Sequence, residues 1–139
     1  MTGVLDVDAV LFDVDETLYD REAAQRLVLA RMPATLPGFV DRDLADLEAA
    51  WLRSDRETEN HVYSAPDIRA SRNLRSALFL RLLGLDESRA DEVTDFYLAT
   101  YPDLAAPIEG AQQVVSACGR RLPVGVVSNA FPDAQYRKL

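Results

Sequence analysis

Three residue types that build many active sites are almost missing from this chain: 139 residues hold one cysteine, one histidine and one lysine. A lone Cys118 excludes a disulfide within the chain, in keeping with a reducing compartment. A cysteine-phosphatase loop starting there would need arginine at position 124, where Val124 stands. His61 has no second histidine beside it, so neither a zinc cluster nor a Ser-His-Asp set can be assembled around it. No Gly-x-x-x-x-Gly-Lys loop occurs, which excludes nucleoside triphosphate binding of that type. No apolar run approaches the ~20 residues that span a bilayer, and Met1 to Asp8 carries neither a basic start nor a signal-like core. The expectation is a cytoplasmic protein with no membrane partner. Positive charge is scarce as well: the formal net charge of −8 argues against nucleic acid, whose binders usually show a basic patch. Internal repeats and low-complexity tracts are absent.

What remains is ordinary globular composition, 48% hydrophobic and 27% charged, which is far from that of disordered chains. Its most informative stretch is Ala9-Val10-Leu11-Phe12-Asp13-Val14-Asp15-Glu16-Thr17-Leu18. Four apolar residues read as a strand buried on both faces, the pattern of a parallel sheet covered by helices. Side chains alternate along an extended chain, so Asp13 and Asp15 can project the same way from the strand's carboxyl end. In open α/β sheets ligands bind at that end. Two acids so close repel each other unless a cation neutralises them or one keeps a proton. Oxygen-only ligands suit a hard cation such as Mg²⁺, and a carboxylate can also attack phosphorus. The bland alternative is a turn in which the aspartates cap the next helix. A calcium-binding EF-hand loop starting at Asp13 fails, because Leu18 stands where glycine is needed and Ala24 where glutamate is. Metal-dependent sugar transferases use Asp-x-Asp too, but in much larger chains.

A second apolar block, Leu122-Pro123-Val124-Gly125-Val126-Val127-Ser128-Asn129, again reads as a strand, ending in a hydroxyl able to donate to a phosphoryl oxygen. Glu109-Gly110-Ala111-Gln112-Gln113-Val114-Val115 reads as a helix ahead of it. With these blocks in this order the sequence resembles the haloacid dehalogenase superfamily. The resemblance implies an α/β fold: a Rossmann-like parallel-sheet core, incomplete here, formed by residues 1–19 and 107–139. A helical cap domain, residues 20–106, is inserted into it. It further implies that Asp13 is the nucleophile, Asp15 the general acid/base, and Thr17 an organiser of the turn. Ser128 and Asn129 would orient the phosphoryl group. Mg²⁺ would be held by the Asp13 carboxylate and the Asp15 backbone carbonyl. The second acid favours phosphoryl transfer, because the dehalogenating branch usually lacks it. The function implied is a Mg²⁺-dependent phosphatase acting on a small phosphorylated metabolite through an aspartyl-phosphate. A phosphomutase is the related alternative.

The family pattern continues with a lysine and then an acidic pair, whereas only eleven residues follow Ser128 here, Asp133 and Lys138 among them. Lys138 is expected as a solvated helix residue, not the phosphate ligand. Losing one preorganised donor costs about 10²–10³ in rate, so this chain is expected to be impaired or inactive. The expectation is a C-terminally truncated protein, or one whose missing half comes from another chain, because two strands leave apolar edges open. A non-catalytic interaction protein, its sheet completed by an oligomer or partner chain, is the alternative from another class.

Between the two blocks the pattern predicts four amphipathic helices. The first runs over about Arg21 to Met32, stopped by Pro33 and Pro37. A second follows Asp41 as N-cap, with Leu44, Leu47 and Trp51 aligned. The third follows Pro66, with Leu74, Leu78 and Leu82 aligned, and is terminated at Gly84. The fourth follows Asp86, with Val93, Phe96, Tyr97 and Tyr101 aligned before Pro102. Trp51, Tyr63 and Tyr97 are expected in the bundle core. Arg69, Arg72 and Arg75, three residues apart, are expected as a solvated face.

Overall fold

The computed structural model describes residues 6–61 and 65–139; Tyr63 lies outside the described residues. The elements run β1 (Val10–Phe12), α1 (Arg21–Thr35), α2 (Leu44–Thr58), α3 (Ile68–Leu82), α4 (Ala90–Leu104), α5 (Ala111–Gly119), β2 (Val124–Val126) and α6 (Pro132–Lys138). Single 3₁₀ turns over Glu59–His61 and Glu87–Arg89 precede α3 and α4. The chain divides into two compact units. One comprises the chain up to Ala24 with Ala105–Ala130, the other Gln25–Leu104 with Phe131–Leu139. The sequence boundary put residues 131–139 with the sheet; in the structure they group with the helices.

In the first unit β1 and β2 pair in parallel, with Val10 opposite Val124, Leu11 opposite Gly125 and Phe12 opposite Val126. Parallel neighbours need a long crossover, and here the intervening chain supplies it. Val14 is fully buried and Leu18 nearly so, so the apolar run continues past the strand into the turn. The expectation of a strand buried on both faces does not hold for the described residues. Leu11 is 65% exposed, and Val124, Val126 and Val127 are exposed as well. A two-stranded sheet has two free edges and too little surface to cover both faces.

The second unit is a helical bundle around an aromatic chain. Phe39 stacks on Phe79 at 5.9 Å between centroids, Trp51 meets Phe79 edge-on at 5.2 Å, and Tyr97 stacks on both Trp51 (4.9 Å) and Tyr101 (5.0 Å). Met32, Leu47, Leu80 and Val93 close the core. Trp51 and Tyr97 are therefore core residues, as the helical spacing predicts.

Several helix details differ from the sequence reading. α1 runs through Pro33 to Thr35. Proline removes one backbone donor, but Leu36 N–H bonds Met32 O at 2.8 Å and Thr35 Oγ1 donates to Arg31 O at 3.0 Å, which carries the last turn on. The N-cap of α2 is Asp43, not Asp41. α3 is capped as proline-aspartate suggests, Asp67 Oδ1 accepting from Ala70 N–H at 2.7 Å. It ends at Gly84 (φ 68°) with Leu85 N–H on Leu80 O and Gly84 N–H on Arg81 O, the paired bonds of a Schellman end. Its buried face is not the leucine row: Leu74 is 44% exposed, while Ser71, Arg72, Ser76, Phe79 and Leu80 are buried. Polar residues can take that face because they are partnered there. Ser76 and Thr94 hydroxyls meet at 2.8 Å, and the arginines are paired as described below. α4 passes Pro102, which is buried, and ends at Leu104.

Candidate active site

β1 ends at Phe12 and hands the chain directly to Asp13. The following residues alternate: Asp13 is exposed, Val14 is buried, and Asp15 is half-buried. One buried apolar side chain between two acids anchors the segment while both acids stay on the side open to water. The turn beyond is tight. Leu18 and Tyr19 N–H both bond Val14 O, at 2.9 and 3.0 Å, and Glu16 N–H bonds Tyr19 O at 2.8 Å. Closing it places Glu16 at φ 59°, the left-handed region that non-glycine residues seldom occupy. The Glu16 side chain is engaged as well: Oε1 accepts from Glu22 N–H at 3.0 Å. Asp20 Oδ1 accepts from Ala23 N–H at 2.8 Å. Two carboxylates thus satisfy donors of the first turn of α1, where negative charge is favourable. Aspartate capping of the next helix is real, and Asp20 supplies it.

Thr17 reaches back across this turn, its Oγ1 donating to Asp13 Oδ2 at 3.1 Å. The bond restricts the carboxylate rotamer and gives Thr17 its place in the turn. The segment leading into α5 is tied to the same turn, with Ile108 N–H on Leu18 O at 2.8 Å and Asp20 N–H on Ala106 O at 3.2 Å.

Parallel pairing then decides which residues share the site. Phe12 stands opposite Val126, and Val127 N–H donates to Phe12 O at 2.9 Å, so the ladder reaches the last residue of β1. Asp13 and Ser128 consequently leave the sheet at the same end. The Ser128 hydroxyl accepts from Ala130 N–H at 3.1 Å, which holds its oxygen over the loop, and Asn129 beside it is exposed. Asp13, Asp15, Thr17, Ser128 and Asn129 all belong to one compact unit. Glu16 carries no sequence signal for the conformation it takes, since a left-handed position is normally announced by glycine or asparagine.

The family's metal can be tested against these residues. Mg²⁺ is usually held by one or two carboxylates, with waters and substrate phosphate completing its shell. An exposed Asp13 carboxylate with one oxygen on Thr17 suits such an open arrangement. Among the described residues no group of three or more His, Cys, Asp or Glu is placed to enclose a metal. The donor set fits a phosphate-assisted Mg²⁺, not a protein cage.

Of the three arginines of α3 expected on a solvated face, Arg69 keeps an exposed side chain, whereas Arg72 and Arg75 are withdrawn from water. Arg69 is bonded to Asp91 and Asp95. Arg72 is 8% exposed and held by Asp133, and Arg75 is bonded to Asp55 at 3.1 Å. Hydrogen bonds to Asp95 and Asp91 raise the Arg69 pKa further above its ordinary value. Lys138 is likewise buried, its Nζ donating to Tyr101 OH at 3.2 Å. His61 is exposed.

No protein-family model matches the chain, and no curated protein matches it. Among solved structures the chain is similar to the HAD-hydrolase YfnB from Bacillus subtilis, solved bound to magnesium. The TM-score is 0.73 at 21% identity, over 95% of this chain and 58% of that one. It is also similar to L-2-haloacid dehalogenase from Xanthobacter autotrophicus, with a TM-score of 0.62 at 22% identity over 96% of this chain and 51% of the other. The chain thus spans somewhat more than half the length of the structures it matches. The fold is like that of these two structures, with a parallel strand pair and a set of inserted helices.

Proposed function

We propose that this chain, built on the haloacid dehalogenase fold, is part of a Mg²⁺-dependent phosphatase that acts on a small phosphorylated metabolite. The observation that carries this reading is the parallel register, which brings the Asp13–Thr17 turn and Ser128 to one end of the sheet. An acid that can attack phosphorus and a hydroxyl that can donate to a phosphoryl oxygen leave the sheet side by side.

The Asp13 carboxylate, its rotamer restrained by Thr17, attacks phosphorus, and the ester P–O bond breaks. Asp15 gives its proton to the departing alcohol oxygen. Asp15 then takes a proton from water as the water oxygen attacks the same phosphorus, which releases inorganic phosphate and regenerates Asp13. Ser128 and Asn129 orient the phosphoryl oxygens. The Asp13 carboxylate and the Asp15 backbone carbonyl would hold Mg²⁺, which would neutralise phosphoryl charge there. A dehalogenase is disfavoured by Asp15, a second acid that the dehalogenating branch usually lacks. A phosphomutase would use the same two acids and return the phosphoryl group to substrate; product analysis separates the two.

One observation favours a second reading. Leu11, Val124, Val126 and Val127 leave apolar sheet surface exposed, and unpaired strand edges recruit further strands. A non-catalytic role, with the sheet completed by a second copy or a partner chain, would yield stable oligomers without turnover.

The test is Mg²⁺-dependent phosphate release from a generic aryl phosphate by this chain and by Asp13→Asn at matched concentration. Release by the wild type that disappears in the variant supports the phosphatase reading. Release that persists in Asp13→Asn refutes Asp13 as nucleophile. No release from either, together with a stable oligomer in sedimentation, favours the binding role.

A further inference from the structure

α6 docks by an inverted pattern. Its buried residues are Ala134, Gln135 and Lys138, whereas Tyr136 is 82% and Leu139 60% exposed. A helix held by the hydrophobic effect buries its apolar side and leaves the polar side in water; this one buries Gln135 and Lys138 beside Ala134 and leaves Tyr136 in water. Its anchors are charged. Arg137 donates to Leu98 O and Asp103 Oδ1, both at 2.8 Å. Lys138 lies 5.1 Å from the Tyr101 ring centroid. Seven residues are also too few for a helix to persist unsupported, so α6 is helical only while those anchors hold.

The central anchor is Arg72. Its Nε donates to Asp133 Oδ2 at 2.7 Å and its Nη2 to Asp133 Oδ1. The Phe131 ring covers the guanidinium, 5.2 Å from Cζ to centroid. A planar fork gripping both oxygens of one carboxylate is the geometry with which arginine recognises free carboxylates and phosphates. Arg69 and Arg75 flank it on α3, but they are committed to Asp91, Asp95 and Asp55. Only the Arg72 partner is borne on a short, polar-faced segment.

We propose that Arg72 is an oxyanion-binding group masked by α6. An incoming phosphate or carboxylate takes the place of the Asp133 carboxylate on the guanidinium and releases α6 from α3 and α4. The site lies wholly within the helical unit and goes beyond the reaction proposed at Asp13.

The experiment uses the full chain without Mg²⁺, titrated with inorganic phosphate, with acetate, and with chloride at matched ionic strength. Two signals are read: the Arg72 Nε–H resonance, assigned by its absence in Arg72→Lys, and amide hydrogen exchange over residues 132–138. Phosphate is expected to shift the first and accelerate the second well beyond the effect of chloride. Acetate acting likewise marks a carboxylate site; phosphate acting alone marks a site for tetrahedral oxyanions. Asp133→Asn removes the competing carboxylate, so the phosphate midpoint read at Arg72 should fall roughly tenfold, equivalent to ~1.4 kcal/mol. That signal is readable whether or not α6 stays docked. In Arg72→Lys, which keeps the charge and loses the fork, exchange over 132–138 should respond to phosphate no more than to chloride. Equal effects of phosphate and chloride on the wild type, or an unchanged midpoint in Asp133→Asn, overturn the proposal. Neither signal depends on turnover, so a chain that fails the aryl phosphate assay can still pass this one.

Discussion

Arg75 offers the sharpest test of the helical unit, because spacing along α3 assigns it to solvent and the structure assigns it to contact with two aromatic rings. Its guanidinium carbon lies 4.3 Å from the Trp51 ring centroid and 4.8 Å from that of Tyr97. The side chain is 13% exposed, and its partner Asp55 28%. A cation over an aromatic face contributes about 0.5–1 kcal/mol when exposed and about 2 when desolvated. Two such contacts at this burial should be worth about 2–3 kcal/mol, with under about 1 more from the ion pair, whose carboxylate can rehydrate once alone. One contribution has the opposite sign. Arg75 Nε is buried without a hydrogen-bond partner, a cost of about 1–3 kcal/mol that removing the group recovers. Arg75→Ala should therefore destabilise by about 1–3 kcal/mol once the lost packing of the stem is included. Arg75→Met keeps the stem, discards the unsatisfied Nε, and should cost about half as much. The sole tryptophan, Trp51, is one of the two rings, so urea unfolding followed by its fluorescence reports on this unit directly. An Arg75→Ala midpoint within the ~0.5 kcal/mol scatter of surface substitutions would show that the stacked geometry carries no energy.

Thr17→Val should slow any Asp13-dependent phosphate release by roughly five- to tenfold, about the ~1 kcal/mol of one hydrogen bond, without shifting the unfolding midpoint of the helical unit; an unchanged rate would remove Thr17 from the site. The Asp91 carboxyl is held below the usual carboxylate range, first by its hydrogen bond from Arg69 and then by Asn73. Its contribution is present above the unfolded-state value of about 4 and is lost as pH falls through the lower folded value. Asp91→Asn should accordingly narrow the stability difference between neutral pH and about pH 3, read by urea unfolding at both; an undiminished difference would refute this. A Cβ on Gly125 would stand 2.9 Å from Leu11 Cδ2, but that is the far end of a side chain 65% exposed and free to turn. Gly125→Ala should be close to neutral, within about 1 kcal/mol; a loss of several kcal/mol, measured by chemical denaturation, would mean that Leu11 is pinned by something packed on this face.

Both strands, the four helices of the insertion and the aromatic core around Trp51 and Tyr97 are legible in the residues, because burial periodicity and helix-ending glycine and proline act over a few positions. Asp13, Asp15 and Ser128 are legible too, as polar residues ending apolar runs. The left-handed Glu16 is not, since nothing in a glutamate announces that conformation. The buried face of α3 is not either. Leucines at 74, 78 and 82 form a good stripe, yet Phe79 and Leu80 point inward and Ser71, Arg72 and Ser76 fill the rest.

By itself, then, the sequence determined the fold class, the order of its elements and which residues are candidates for catalysis, since each depends on local pattern and on motifs within a few residues of one another. Only tertiary structure decided that Asp13 and Ser128 leave one sheet at the same end, that Arg75 lies against the stacked Trp51 and Tyr97 rings, and that α6 belongs to the helices through Arg72 and Asp133. Those outcomes depend on pairings between residues 20 to 114 positions apart in the chain. Whether a charge is solvated or buried depends on which distant partner arrives, and spacing along one helix carries no record of that.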